Sequence, residues 1–72
     1  MPSDLRKLRT DLERVVLART GRRVRDLGIE LRAERIVLHG RAVSFHVKQL
    51  AQQGVREILP HVQLENAIEV GA

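Results

Sequence analysis

Cysteine is absent from the 72-residue chain, and its aromatic residues amount to a single phenylalanine. The lack of cysteine excludes disulfide scaffolds, thiol catalysis and zinc sites built on thiolates. RRM and OB-type domains stack bases on exposed aromatic side chains, and a chain without tyrosine or tryptophan has almost no such side chains. The five glycines lie at least seven residues apart. This spacing excludes glycine-rich phosphate-binding loops and the G-x-x-G loop of KH domains.

Long apolar runs are also missing. No segment approaches the ~20 apolar residues that a membrane span needs. The first nine residues carry scattered charges and lack the apolar stretch of a secretory signal, so the expected location is cytoplasmic. A chain of this length forms one small domain over residues 1–72, without room for a deep cleft between domains. We therefore expect a non-enzymatic protein without catalytic residues or a cofactor.

Positive charge is concentrated in the first third of the chain. The formal net charge is +4, and residues 1–25 hold eight basic and three acidic side chains. A cluster near the end of the first predicted helix predicts a site for an anionic partner. The members of this cluster are Arg19, Arg22, Arg23 and Arg25. An alternative is that these cations only favour the helix C-terminus and solubility.

Apolar spacing predicts an α-β-β-α-β order. Steps of three and four predict a first helix over about residues 4–19, with Ser3 as its N-cap and Gly21 after its end. Alternation then predicts two strands, around 27–31 and over 36–42, joined by a loop slightly longer than two residues. Ser44 is expected to cap a second helix that ends at Pro60. A third strand is expected over 62–70.

The expected fold is α+β, with a three-stranded mixed sheet and two helices packed on one face. A right-handed crossover places strand 3 parallel to strand 2 in the order 1-2-3, with strand 3 beside strand 1 as the alternative. Gly54 interrupts the apolar stripe of the second helix, which suggests close approach to the sheet opposite Gly40. The alternation of the last predicted strand places Asn66 on its inward face, where the side chain is expected to form structural hydrogen bonds.

Three segments carry a family resemblance. They are the stretch Ile36-x-Leu38-x-Gly40-x-Ala42-x-Ser44, the helical run 48–51, and the strand from Val62 that closes on Asn66-x-Ile68-x-Val70. Through them, residues 24–70 resemble the BON domain, a small bacterial module of the same element order. The resemblance implies a non-catalytic attachment domain for phospholipid surfaces or protein partners, and it supplies no catalytic residues.

The remaining polar residues favour structural roles. His39, His46 and His61 have no pair at the i, i+4 spacing that aligns metal ligands on a helix, so they are interpreted as surface residues and no metal is expected. Ser44 is interpreted as a helix cap rather than a nucleophile, because no G-x-S-x-G motif surrounds it.

Two function hypotheses follow. The first is a BON-like module that docks to an anionic phospholipid surface or to a protein partner. The second is a small basic domain that contacts nucleic-acid phosphates non-specifically through the same arginines. The polar face of the sheet offers a modest partner surface, with Val37 as its expected contact. A free sheet edge leaves a homodimer open.

Overall fold

The computed structural model describes residues 2–71, and for residues 2–4 the backbone only. Its elements follow the predicted order, except that the last strand is divided. They are α1 (Pro2–Thr20), β1 (Val24–Leu31), β2 (Arg35–Ala42), α2 (Phe45–Ile58), β3 (Gln63–Asn66) and β4 (Glu69–Val70). The hairpin loop between β1 and β2 is three residues long, residues 32–34.

One mixed sheet has β2 at its centre. β1 pairs antiparallel with one side of β2, and β3 and β4 pair parallel with the other side. The α+β class, the mixed sheet and the 1-2-3 order are therefore confirmed, and the alternative that places strand 3 beside strand 1 is wrong. Four strands form instead of three, because the sheet ladder is interrupted between β3 and β4.

A side-chain hydrogen bond accompanies the division of the last strand. Asn66 Oδ1 accepts a hydrogen bond from the N–H of Ile68 at 3.3 Å. The N–H of Ala67 still donates to the carbonyl of Leu38 at 2.9 Å. An Asn side chain that bonds the backbone two residues on is a common alternative to a sheet ladder. The chain therefore stays beside β2 while its regular pairing stops for two residues.

The helix α1 begins two residues before the predicted start, so Ser3 lies inside its first turn instead of capping it. At the other end, Thr20 donates its hydroxyl hydrogen to the carbonyl of Val16 at 2.8 Å. Gly21 follows with φ +61°, and the N–H of Arg22 donates to the carbonyl of Leu17 at 2.8 Å. A left-handed glycine with a bond back to the last turn is a frequent helix ending.

The core lies between the two helices and one face of the sheet. Apolar side chains of both helices and of the inner sheet face pack into one cluster, which buries the stripes that the periodicity predicts. Its buried members are Leu12, Val16, Val24, Ile29, Ile36, Leu38, Ala42, Val47, Ala51, Val55 and Ile68. Neither helix in the described range is long and apolar enough to cross a bilayer.

Gly54 brings the helices together rather than bringing α2 to the sheet. A Cβ at this position would lie 3.3 Å from Val15 Cγ1 and 3.4 Å from the Cα of Val16. The expected match between Gly54 and Gly40 across the helix–sheet interface is therefore wrong. The reason is that α1 covers the surface of α2 on which Gly54 lies, a contact that the periodicity of one helix does not reveal.

The hairpin contains a β-bulge near its open end. The register shifts between Arg25 and Gly28, so two residues of β1 face one residue of β2. Asp26 takes φ +54° and Gly40, across from the bulge, takes φ +149°. A Cβ at Gly40 would lie 2.9 Å from the carbonyl oxygen of Arg25. The bulge therefore brings the backbone of β1 against Gly40.

Candidate functional site: an arginine groove

A groove of about 570 Å³ lies where β1 begins and where β2 and β4 end. Its walls combine three arginines, two acidic residues and small or apolar residues. The lining residues are Arg23, Arg25, Asp26, Arg41, Ala42, Val43, Glu69, Val70 and Gly71. We refer to this set as the arginine groove.

The sheet register places charged residues side by side in the arginine groove. Arg25 on β1 is paired with Arg41 on β2, and Arg41 is paired with Glu69 on β4. Like charges directly opposite each other on neighbouring strands are destabilising. Among the side chains of residues 5–71, no carboxylate oxygen lies within 4.0 Å of either guanidinium group. An anionic ligand would relieve the repulsion between the two cations.

Arg23 is held in position by the end of α1. Its Nε donates to the carbonyl of Thr20 at 2.8 Å, which is one of the carbonyls left without a helical partner. The two terminal nitrogens make no hydrogen bond within the described residues. The guanidinium group is thus anchored at one side and retains donors for a ligand in the groove.

Unusual backbone geometry is concentrated around the groove. Arg22 and Asp26, at φ +59° and +54°, are the non-glycine residues of positive φ in the described chain. Gly71 lines the groove at φ +153°, and its N–H donates to the carbonyl of Ala42 at 3.0 Å. Residues held in sparsely populated conformations cluster at binding sites, where they set the direction of side chains. Here the bulge at Asp26 re-directs β1 at the groove wall.

Three exposed apolar side chains lie in β4 or within three residues after the end of β2. Val43 is 72% exposed, Phe45 is 62% exposed and Val70 is 42% exposed. Val43 and Val70 line the arginine groove, while Phe45, at the start of α2, lines a separate cavity with Lys48 and Asn66. The Nζ of Lys48 lies 5.9 Å from the centroid of the Phe45 ring. We refer to Val43, Phe45 and Val70 as the apolar rim.

The predicted arginine cluster is divided by the structure. Arg23 and Arg25 line the groove, and Arg22 is exposed in the preceding turn. Arg19 instead forms an ion pair with Glu57 of α2 at 2.6 Å. The hydrogen bond from this side chain to Glu57, with its Coulombic attraction, raises the pKa of Arg19. It therefore links the two helices and does not face the groove.

Sequence reasoning did not include Arg41 in the site. It lies sixteen residues beyond Arg25 in the chain, and the antiparallel pairing of the hairpin places the two opposite each other. The available signal was the alternation of β2, which assigns Arg41 to the polar face of the sheet. Combined with the hairpin register, that signal identifies it as a neighbour of β1.

Ser44 and Asn66 support the elements around the site. Ser44 is the N-cap of α2, and its Oγ accepts a hydrogen bond from the N–H of Val47 at 3.2 Å. Asn66 Nδ2 donates to the carbonyl of Lys48 at 2.9 Å, so it joins α2 to the end of β3. Both residues hold backbone groups in place without facing the groove.

The open face of the sheet is covered by ion pairs. Glu30 contacts Arg32 at 2.7 Å and His39 at 2.5 Å, and hydrogen bonds from these two side chains lower the pKa of Glu30. Arg35 pairs with Glu65 at 3.2 Å. Val37, between Glu30 and Glu65 in register, is only 5% exposed. The expectation that Val37 offers a partner contact is therefore wrong, because longer charged neighbours cover it.

A second basic surface lies on α1. Arg6, Lys7 and Arg14 are exposed and fall within one arc of the helix, opposite the buried Leu12 and Val16. We refer to these three cations as the α1 basic face. None of them lines the arginine groove, so the molecule presents two separate basic surfaces.

The histidines do not gather into a metal-binding arrangement. Among the side chains that the structure describes, those of residues 5–71, no group of three or more His, Asp or Glu has a geometry that could hold a metal ion. His39 is occupied by its contact with Glu30, while His46 and His61 lie exposed on α2 and in the following loop.

Comparison with known proteins returned no relative. No family model, curated protein or solved structure matches the chain. The function is therefore inferred from the groove and its surroundings.

Proposed function

We propose that this chain is a non-enzymatic, BON-like binding module that docks to an anionic phospholipid surface through the arginine groove and the apolar rim. The observation that carries the proposal is that three arginines and the exposed Val43 and Val70 line one groove. The α-β-β-α-β order agrees with the resemblance to the BON domain, which also implies attachment to phospholipid or protein.

Charge and apolar contact act together in such docking. A basic residue near an anionic bilayer contributes about 1 kcal/mol of attraction, which salt screens. Apolar side chains that enter the boundary between headgroups and acyl chains add attraction that is less sensitive to salt. Arg23, Arg25 and Arg41 supply the first contribution, and Val43, Phe45 and Val70 supply the second.

A vesicle-binding titration with matched variants tests this assignment. The groove variant carries Arg23→Gln, Arg25→Gln and Arg41→Gln, and the control carries Arg6→Gln, Lys7→Gln and Arg14→Gln on the α1 basic face. Each removes three positive charges, so net charge alone would weaken both equally. We expect binding to anionic vesicles to fall at least about tenfold more in the groove variant. Equal loss in both would contradict the assignment to the groove.

A second variant separates apolar contact from charge. Val43→Ser and Phe45→Ser leave every charge in place and alter side chains that are largely exposed in the structure. We expect the variant to bind at low salt and to lose binding at physiological salt. Circular dichroism of each variant checks that the fold is retained. Unchanged binding at both salt concentrations would show that the apolar rim does not contact the bilayer.

Nucleic-acid binding is the second candidate, and the α1 basic face favours it. Cations on one exposed helix face can contact phosphates without reading the sequence. On this alternative, binding to single-stranded or duplex nucleic acid falls steeply with salt, and the α1 variant loses it while the groove variant retains most of it. Such a result, with no vesicle binding, would replace the phospholipid proposal. Failure of both ligands would direct attention to protein partners.

A further inference from the structure

The arginine groove carries charges of both signs, which a surface for general attraction to anions does not require. Three arginines and two acidic residues line it. We propose that the groove selects an anionic phospholipid headgroup that also carries an ammonium group, of the phosphoserine type. This inference rests on the proposed function, since it names the headgroup that the same docking surface prefers.

The cationic side of the groove suits two anionic groups on one ligand. Arg25 and Arg41 are direct neighbours in register, and Arg23 is anchored through Nε alone. A guanidinium group binds phosphate or carboxylate through paired N–H donors. A phosphoserine headgroup supplies one phosphate and one carboxylate. The adjacent Arg25 and Arg41, together with Arg23 at the wall, can thus bind both the phosphate and the carboxylate of the headgroup.

The anionic side of the groove needs a separate explanation. Asp26 and Glu69 would weaken the attraction of the groove for a simple anion, because they place like charge beside it. Asp26 enters the groove wall through a bulge with a positive φ, a conformation that costs free energy. Glu69 is beside Arg41 in register. A ligand ammonium group would give either carboxylate a cation to bind.

The charges and size of the groove match this headgroup. Three cations and two anions line the protein side, while the headgroup carries two anions and one cation. The volume of about 570 Å³ is within the range of small-molecule sites. Val43 and Val70 line the same groove, so the acyl-chain boundary would lie next to the bound headgroup. General electrostatic attraction does not predict selection among headgroups of equal net charge.

The test compares three lipids that each carry one net negative charge. Phosphatidylserine, phosphatidylglycerol and phosphatidylmethanol are used at equal mole fraction in otherwise neutral vesicles. Phosphatidylglycerol presents hydroxyl donors, and phosphatidylmethanol presents no donor. We expect affinity for phosphatidylserine vesicles to exceed that for either of the others by about tenfold, the size of one additional charge-assisted contact.

The matched variants change the carboxylates. Asp26→Asn with Glu69→Gln should bring the ratio of phosphatidylserine to phosphatidylmethanol affinity close to one, although overall attraction rises. Asparagine tolerates the left-handed backbone of position 26, so the bulge is retained. The control, Glu13→Gln with Glu34→Gln, makes the same change in net charge at residues that do not line the groove. It should leave the ratio unchanged.

Each outcome bears on a different claim. Equal affinity for all three lipids would overturn headgroup selection and leave anionic docking intact. Equal preference for phosphatidylserine and phosphatidylglycerol would show that a hydroxyl donor suffices, which overturns the role of the ammonium group. A ratio that persists in the Asp26→Asn, Glu69→Gln variant would remove the carboxylates from recognition. No binding to any of the vesicles would overturn the proposed function itself.

Discussion

Gly40 is the residue at which the hairpin has least room for a side chain. Its φ of +149° lies in a region that L-residues rarely adopt. A Cβ there would approach both the carbonyl oxygen of Arg25 and Cγ1 of Val24 at 2.9 Å. Because both atoms belong to the part of β1 that leads into the β-bulge beside the arginine groove, Gly40 connects the stability of the hairpin to the shape of the site.

Gly40→Ala should therefore destabilise the protein. We expect the free energy of unfolding to fall by about 2 kcal/mol or more, since backbone strain and a steric clash add together. Urea denaturation followed by circular dichroism measures this change. Gly28→Ala is the matched control on the same hairpin, because a Cβ there meets only His39 Cβ at 3.7 Å. A loss at Gly40 no larger than that at Gly28 would contradict the argument.

Through Glu30, the free energy of unfolding at acidic pH depends on ion pairs on the open face of the sheet. Hydrogen bonds from Arg32 and His39 lower its pKa in the folded state, so its charged form is favoured by folding. The resulting stabilisation is present above the unfolded-state pKa of about 4.3 and is lost as pH falls through the lower, folded-state pKa. The contribution is small because the group is exposed.

Glu30→Gln should reduce the pH dependence of stability below the unfolded-state pKa of Glu30 and leave it unchanged elsewhere on the acid side. Urea denaturation of the two proteins over a series of acidic pH values measures this difference. Glu34→Gln in the hairpin loop is the control, since Glu34 forms no ion pair within the described residues. If both variants changed the pH profile equally, the pairing of Glu30 would not be the cause.

At the scale of elements, Asn66 connects α2 with β3 and with the segment that leads into β4. Its Nδ2 donates to the carbonyl of Lys48, and its Oδ1 accepts from the N–H of Ile68. Asn66→Ala should lower the free energy of unfolding by about 1 to 3 kcal/mol, because partly buried polar groups lose their partners. Amide hydrogen exchange at Ile68 should also accelerate. Gln63→Ala, at an exposed position of the same strand, should change neither measurement appreciably.

The helices and strands could be predicted from the sequence, because the spacing of apolar residues shows which face of each element is buried. The stripe of Leu12 and Val16 and the alternation of Ile36 and Leu38 follow directly from the core that they build. The division of the last strand could not be predicted. Apolar residues continue to alternate on the same face before and after Asn66. The interruption arises instead from a side-chain hydrogen bond, which this alternation does not reveal.

The candidate site was predicted only in part, for a related reason. Clustering along the chain identified Arg23 and Arg25, which line the groove, but also Arg19, which pairs with Glu57. A count of charges along the chain does not show which cations are neutralised by a distant element. Arg41 enters the groove through the hairpin register, and the bulge at Asp26 has no distinctive sequence signal.

At the scale of the whole molecule, both edges of the sheet are irregular. On one edge, β1 carries the bulge between Arg25 and Gly28. On the other edge, the pairing of β3 and β4 is interrupted at residues 67–68. Bulges and short edge strands are common devices against edge-to-edge pairing, because they prevent a regular ladder with a second chain. A homodimer through either edge is therefore disfavoured.

We accordingly predict that the protein is monomeric in solution. Sedimentation equilibrium should give a mass near 8.2 kDa that does not rise with protein concentration. The α1 variant and the groove variant should behave in the same way, since neither alters a sheet-edge backbone group. A mass that doubles with concentration would contradict the prediction. Loss of that doubling in the groove variant would then place the contact between copies at the arginine groove, in competition with docking to phospholipid.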